Sequence, residues 1–251
     1  LKQTNAIILR MHAWSETSLV GSIFTREHGK VSVLAKGARR PKSPFEAALD
    51  LLSVCRVVFI EKSSDSLNLL TEAKLVRRFR NENRCLLRLY SAYYVAEMLE
   101  QFTQQGEQQP AEIYELAAET LGCLEQSAMD FRAVVLRFEM QMLRLAGLMP
   151  SFQQCVGCGK GITSKEWLIY GSVAGGVLCV PCSQGQKQMI RIPAELCDCL
   201  LEYGSADWRA IPMNCYPVRW RAVIRAVMEK TISSTIDRRM KLHSYLEELG
   251  R

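Results

Sequence analysis

Alternation dominates residues 1–80. In "KVSVLAKG", Val31, Val33 and Ala35 fall on one face and Ser32, Leu34 and Lys36 on the other, the two-residue period of a half-buried strand. "TNAIILRMH", "TSLVGSIFT", "LLSVCRVVFIEK" and "SLNLLTEA" are short runs rich in apolar and β-branched residues. Between them, "REHGK" sets Gly29 where a tight turn needs a positive φ, and "EKSSDS" is a polar turn. About five short strands joined by turns predict a small antiparallel barrel. "GARRPKSPF", between the third and fourth strands, carries two prolines and reads as an exposed loop.

Past residue 80 the period lengthens. "CLLRLYSAYYVAEMLEQF" places Leu86, Tyr90, Tyr93, Tyr94 and Met98 at spacings of three and four, an amphipathic helix. "QQGEQQP" breaks it, and Pro110 opens a second helix. A third runs from Asp130 as N-cap to a stop at Gly147. Two later stretches, "PAELCDCLLEYG" and "YPVRWRAVIRAVMEKTISSTIDRRMKLHSYLEEL", return to helical spacing. The expected class is α+β and multidomain: a barrel over 1–79, a helical domain over 80–154 and 183–251, and a metal-binding segment inserted at 155–182.

That segment, "CVGCGKGITSKEWLIYGSVAGGVLCVPC", holds two C-x-x-C pairs, Cys155 with Cys158 and Cys179 with Cys182. A C-x-x-C turn aims both sulfurs at one centre, and two such turns complete a tetrahedral thiolate cage for Zn²⁺. "WLIYGSVAGGVLC" supplies a hairpin between them. Four cysteine ligands leave no open position for water, so the metal is expected to be structural. Six further cysteines, Cys55, Cys85, Cys123, Cys197, Cys199 and Cys215, follow no pairing pattern and read as small buried hydrophobes.

Charge divides the chain in the same way. Residues 1–80 carry 14 Lys and Arg against 7 Asp and Glu, residues 81–154 carry 5 against 10, and residues 155–251 carry 13 against 9. In the basic head, Arg39, Arg40 and Lys42 with Lys36 could neutralise phosphates, and Arg26 and Lys30 on the hairpin could extend the patch. Small barrels bind single strands with such cationic loops and nearby aromatics. Phe24 and Phe45 are the aromatics at hand, and either could be core. "KLVRRFRNENR", with Arg77, Arg78, Arg80 and Arg84, fits a salt-bridge cluster or a nucleic-acid path equally. The charges of "RWRAVIRAV" and "DRRMK", and of Glu112, Glu115 and Glu119, read as solvated helix faces.

Catalytic patterns are scarce. The three histidines, His12, His28 and His243, form no H-E-x-x-H, and there is no phosphate-binding G-x-x-x-x-G-K-[ST]. No window approaches the roughly 18 consecutive apolar residues of a membrane helix, so no membrane partner is expected. A thiolate metal site fits a reducing compartment, which makes the cytoplasm the expected location.

The order of these features resembles the bacterial RecO family of recombinational repair proteins. The likeness rests on "AIILR", on "SETSLVGSIFTREHGKVSVLAKGARRPKSPF", on "LNLLTEAKLV", on "AYYVAEML", on "FEMQMLRLAGLMPSFQQCVGCG" and on "GGVLCVPC". "LHSYLEEL" resembles the family's closing segment except at Tyr245, where the family has Arg. The resemblance implies an OB-fold barrel, a helical domain and an inserted zinc segment. It implies binding of single- and double-stranded DNA and annealing of complementary strands. It further implies action with RecR, and often RecF, to load RecA onto DNA coated by single-strand-binding protein, whose acidic C-terminal tail many members recognise. On this chain it makes Arg39, Arg40 and Lys42 the leading DNA contact, with no enzymatic step. A zinc-stabilised protein–protein adaptor with incidental nucleic-acid binding is the alternative.

Overall fold

The computed structural model describes residues 1–45, 48–62, 66–81, 84–104, 109–162, 167–205, 216–237, 240–242 and 245. Residues 105–108 of the helix break, Cys215, Arg238, Arg239 and His243 lie outside them, as does "LHSYLEEL" apart from Leu242 and Tyr245. The chain forms two compact units, Leu1–Gln126 and Ser127–Arg251. None of the described helices is long and apolar enough to cross a membrane.

In the first unit the alternating segments become β1 (Lys2–Ala13), β2 (Leu19–Thr25), β3 (Gly29–Ala35), β4 (Val54–Ile60) and β5 (Asn68–Arg77). They close into a barrel in the order β1-β2-β3-β5-β4, the topology of an OB-fold. The barrel is not antiparallel throughout, as the sequence pattern suggested: β3 and β5 pair in parallel, from Val33 with Asn68 to Ala35 with Leu70. The reason is parity. A closed ring with an odd number of strands cannot alternate direction all the way round, so one pairing must be parallel.

The buried face is the one that alternation picked out. Val31, Val33 and Ala35 join Ala6, Ile8, Ile23, Val57, Phe59, Leu70 and Ala73 in the barrel core. Phe45 and Ala48, from the β3–β4 connection, enter the same core and anchor that long segment. β1 bulges between Ile8 and Arg10, against β2. A Cβ on Gly21 would lie 1.9 Å from the Arg10 carbonyl oxygen, so the close approach there requires glycine.

Two helices complete this unit, α1 (Leu86–Phe102) and α2 (Pro110–Glu125), the latter with its proline in the first turn as expected. α1 buries part of the stripe read from its sequence, Tyr94 and Met98, with Tyr90 and Tyr93 half-buried. Leu86 is exposed, whereas Ser91, Ala92, Val95 and Leu99 are buried beside Tyr94 and Met98. α1 packs against both α2 and β1, so its buried arc is wider than one amphipathic stripe. The change of period near residue 80 therefore falls inside a compact unit that runs on to Gln126.

The second unit is built around α3 (Phe131–Leu145). Asp130 caps it by accepting the Arg132 amide at 2.9 Å, and Gly147, at φ 70°, follows its end. A three-stranded sheet follows, with β6 (Trp167–Gly171) between β7 (Gly176–Leu178) and β8 (Met189–Pro193). The hairpin β6–β7 was legible in the sequence; β8 was not. The unit's remaining described elements are the short α4 (Val180–Ser183), α5 (Ala194–Tyr203), a 3-10 turn (Val218–Trp220) and α6 (Arg221–Ile236).

α3 is buried on nearly every side, polar residues included. Arg225 of α6 donates to Glu139 at 3.1 Å, with both side chains buried. The expectation that the charges of "RWRAVIRAV" are solvated is thus wrong for Arg225. Its chain position is inward, and Glu139, fully buried, supplies the counter-charge that makes burial tolerable. Gln141 donates to the carbonyls of Tyr203 and Ser205 at 2.7 and 2.9 Å.

Candidate metal centre and nucleic-acid interface

The sulfurs of Cys155, Cys158, Cys179 and Cys182 lie within 4.8 Å of one another. Cys155 and Cys179 are 3.6 Å apart and Cys158 and Cys179 are 3.8 Å apart. A tetrahedron of thiolates at a zinc–sulfur distance of about 2.3 Å has edges of about 3.8 Å, so the four residues fit a metal of that size. Cys155 is buried and Cys158 exposed, which sets the cage at the edge of the unit.

Local backbone makes the cage. The Gly159 amide donates to the Cys155 carbonyl at 2.8 Å, and the Cys155 amide donates to the Lys160 carbonyl at 2.8 Å, closing the first knuckle on itself. A Cβ on Gly157 would lie 3.1 Å from the Cys182 sulfur, so a side chain there would crowd the ligands. The second pair sits where β7 ends and α4 begins. The Cys179 amide donates to the Cys155 sulfur at 3.3 Å. That bond is the largest cause of the low pKa of the Cys155 thiol, about 6, with the amides of Cys158 and Gly157 contributing. Cys182 is pushed up to about 12, chiefly by its hydrogen bonds to the other three cysteines. Amides directed at sulfur favour thiolate, the form a metal binds.

The basic loop of the first unit is ordered by two consecutive turns. The Arg40 amide donates to the Gly37 carbonyl at 3.0 Å, and the Ser43 amide to the Arg40 carbonyl at 3.2 Å. Gly37 has φ 72°. In the second turn Pro41 precedes Lys42, whose φ is 62°, the pattern of a type II turn with lysine where glycine is usual. Lys36, Arg39, Arg40 and Lys42 are all exposed, and none forms an ion pair among the described residues. Arg39 is steadied by its own backbone, whose amide donates to the Thr17 carbonyl at 3.0 Å, and by Nη1, which donates to the Ser15 carbonyl at 3.3 Å.

Arg26 and Lys30 are not brought to this loop. They sit at the β2–β3 turn, at the start of β3, while Lys36 follows its end. A strand of that length separates them by roughly 20 Å. Arg26 pairs with Glu115 of α2 at 2.7 Å and with Glu27 at 3.4 Å. The Glu115 carboxylate holds the Arg26 guanidinium above its usual pKa. Lys30 donates to the Glu100 carbonyl of α1 at 2.6 Å. Farther along, Arg77 pairs with Glu125 and Arg78 with Asp50, both at 3.0 Å, which gives these two the salt-bridge role.

Phe24 and Phe45 are both buried and belong to the core. An exposed aromatic does lie on the turn that contacts this loop, at a position the sequence pattern did not single out. Trp14, in the β1–β2 turn, is 67% exposed, and its turn carries the two carbonyls that hold Arg39. The signal was present: a tryptophan in a polar stretch, "WSETS", where no core position falls.

Comparison with known proteins agrees with this architecture. Residues 1–79 match the model of "Recombination protein O N terminal", and residues 84–242 match "Recombination protein O C terminal". The chain is 40% identical over 201 residues to a DNA repair protein RecO of Rhodopirellula baltica, covering 80% of this chain and 74% of the relative. It is 28% identical over 254 residues to one from Symbiobacterium thermophilum, covering 99% and 98%. A third, from Halalkalibacterium halodurans, is 24% identical with 98% and 94% covered. An OB-like barrel, a helical region and a four-cysteine cluster in this order, matched over both parts of the chain, place the protein in the RecO family of DNA repair proteins.

Proposed function

We propose that the protein is a non-enzymatic DNA-binding mediator of recombinational repair that anneals complementary strands. With RecR, and with RecF where that partner operates, it helps load RecA onto DNA coated by single-strand-binding protein. The acidic tail of that coat protein is a further partner, and the work takes place in the cytoplasm, at the nucleoid. The carrying observation is the set of four exposed cations, Lys36, Arg39, Arg40 and Lys42, on one loop of the barrel, with no ion pair to any of them among the described residues.

Two strands approach each other only when their phosphates are neutralised. Cations on a loop replace condensed counterions, and their release drives binding that is salt-dependent and indifferent to sequence. Arg26 and Lys30 serve instead to seat the barrel on its helices. The metal is Zn²⁺. Its four thiolates complete the tetrahedron and leave no position for a reacting water, so it supports the fold.

The test is annealing of complementary oligonucleotides, bare and coated with single-strand-binding protein. Acceleration by the wild-type protein in both cases, lost in Arg39→Ala/Arg40→Ala/Lys42→Ala, is the expected result. No acceleration by the wild type, or an undiminished rate in the variant, would refute the proposal.

A further inference from the structure

We infer that Trp14 is a base-stacking platform which makes the β3–β4 loop surface prefer single-stranded to duplex DNA. The inference rests on the reading of that loop as the nucleic-acid interface.

Trp14 sits on the same rim of the barrel as the cations. Ala13, which it follows, pairs with Leu19, and Leu19 pairs with Ala35, immediately before Lys36. The β1–β2 turn is closed on itself. The Trp14 amide donates to the Ser18 carbonyl at 3.0 Å, and the Ser18 amide donates to the Ser15 hydroxyl at 3.2 Å. It is also fastened to the basic loop through the Arg39 contacts and through the Gly37 amide, which donates to the Ser18 hydroxyl at 3.5 Å. The indole and the guanidinium of Arg39 therefore belong to one two-loop unit.

Together residues 14–18 and 36–43 contain four cations and one carboxylate, Glu16. This balance suits a polyanion. The large apolar face of Trp14 is left facing solvent on a braced backbone. A base offers a flat π-face to such a ring only when it is not stacked between neighbours in a duplex. A single strand can give the surface both phosphate and base contacts, whereas a duplex can give only the first.

Fluorescence-anisotropy titrations of a single-stranded and a duplex oligonucleotide of equal length test this. Three variants of the full chain are compared with wild type: Trp14→Ala, Trp14→Phe and Arg39→Ala/Arg40→Ala. Trp14→Ala is expected to weaken single-strand binding about tenfold, the effect of losing one base–aromatic stack. Duplex binding should change less than about twofold, so the preference for single strands collapses. Trp14→Phe should recover most of the loss, because a smaller ring still stacks. Tryptophan emission should fall on adding the single strand to wild type and not on adding it to Trp14→Phe.

If Arg39→Ala/Arg40→Ala weakens both ligands while Trp14→Ala leaves their ratio unchanged, Trp14 is idle in DNA binding or serves a protein partner. The inference alone then fails. If neither variant affects either ligand, the loop is not the interface and the underlying reading fails with it.

Discussion

The chain gathers like groups in two places and handles them in opposite ways. On the barrel rim four cations are spread over an exposed loop, with no carboxylate paired to them among the described residues. In the second unit four thiols converge within 4.8 Å, and backbone amides point at the sulfur of Cys155. Convergence suits a single compact ion enclosed by the protein, and it fixes the local fold when that ion is held. Dispersal suits an extended polyanion supplied from outside. Arg26, Lys30 and Arg225 sharpen the distinction: the same residue types, given Glu115, the Glu100 carbonyl and Glu139, are committed internally.

If the two clusters differ in this way, stability and DNA binding should separate by mutation. Removing the metal or introducing Cys155→Ser should lower the thermal midpoint of the second unit by on the order of 10 °C, read by calorimetry. Oligonucleotide affinity should stay within about twofold, since the loop lies in the other unit. Arg39→Ala/Arg40→Ala/Lys42→Ala should invert that pattern. It should leave the melting profile in place and weaken oligonucleotide binding on the order of ten- to a hundredfold.

Lys42→Gly offers a finer separation. Lysine in the left-handed region is strained by on the order of 1 kcal/mol, partly offset in the variant by the freedom glycine gives the unfolded chain, so glycine should raise stability by about 0.5 kcal/mol in a denaturant titration. Loss of the charge should lower DNA affinity severalfold in the same protein. The smallest effect is expected for Arg26→Ala/Lys30→Ala. Oligonucleotide titration should show affinity within roughly twofold of wild type, because these cations face the helices at the other end of β3.

Much of this was legible in the residues, for identifiable reasons. The two-residue period of "KVSVLAKG" marked the barrel interior, because the core faces one side of each strand. The paired C-x-x-C spacing marked the cage, because the chemistry is carried by residues close in sequence. What escaped depends on residues distant in sequence. The parallel β3–β5 pairing follows from ring closure, and β8 finds its partner β6 only in three dimensions. Arg225 looked solvated until Glu139, 86 positions earlier, appeared beside it. Arg26 and Lys30 looked like Arg39 and Arg40, since composition records the cation and not its partner. The polar stretch "WSETS" marked Trp14 as no core position, but its place beside the basic loop depends on Arg39, which is distant in sequence.

The central claim is that the cations following β3, not those preceding it, hold the phosphates. It is tested by the salt dependence of single-stranded oligonucleotide affinity in wild type, Arg39→Ala/Arg40→Ala/Lys42→Ala and Arg26→Ala/Lys30→Ala. With about 0.7 counterions released per phosphate contact, the first variant should flatten the log–log slope by about 2, while the second keeps the wild-type slope. An unchanged slope in the first variant, or an equal flattening in the second, would contradict the account.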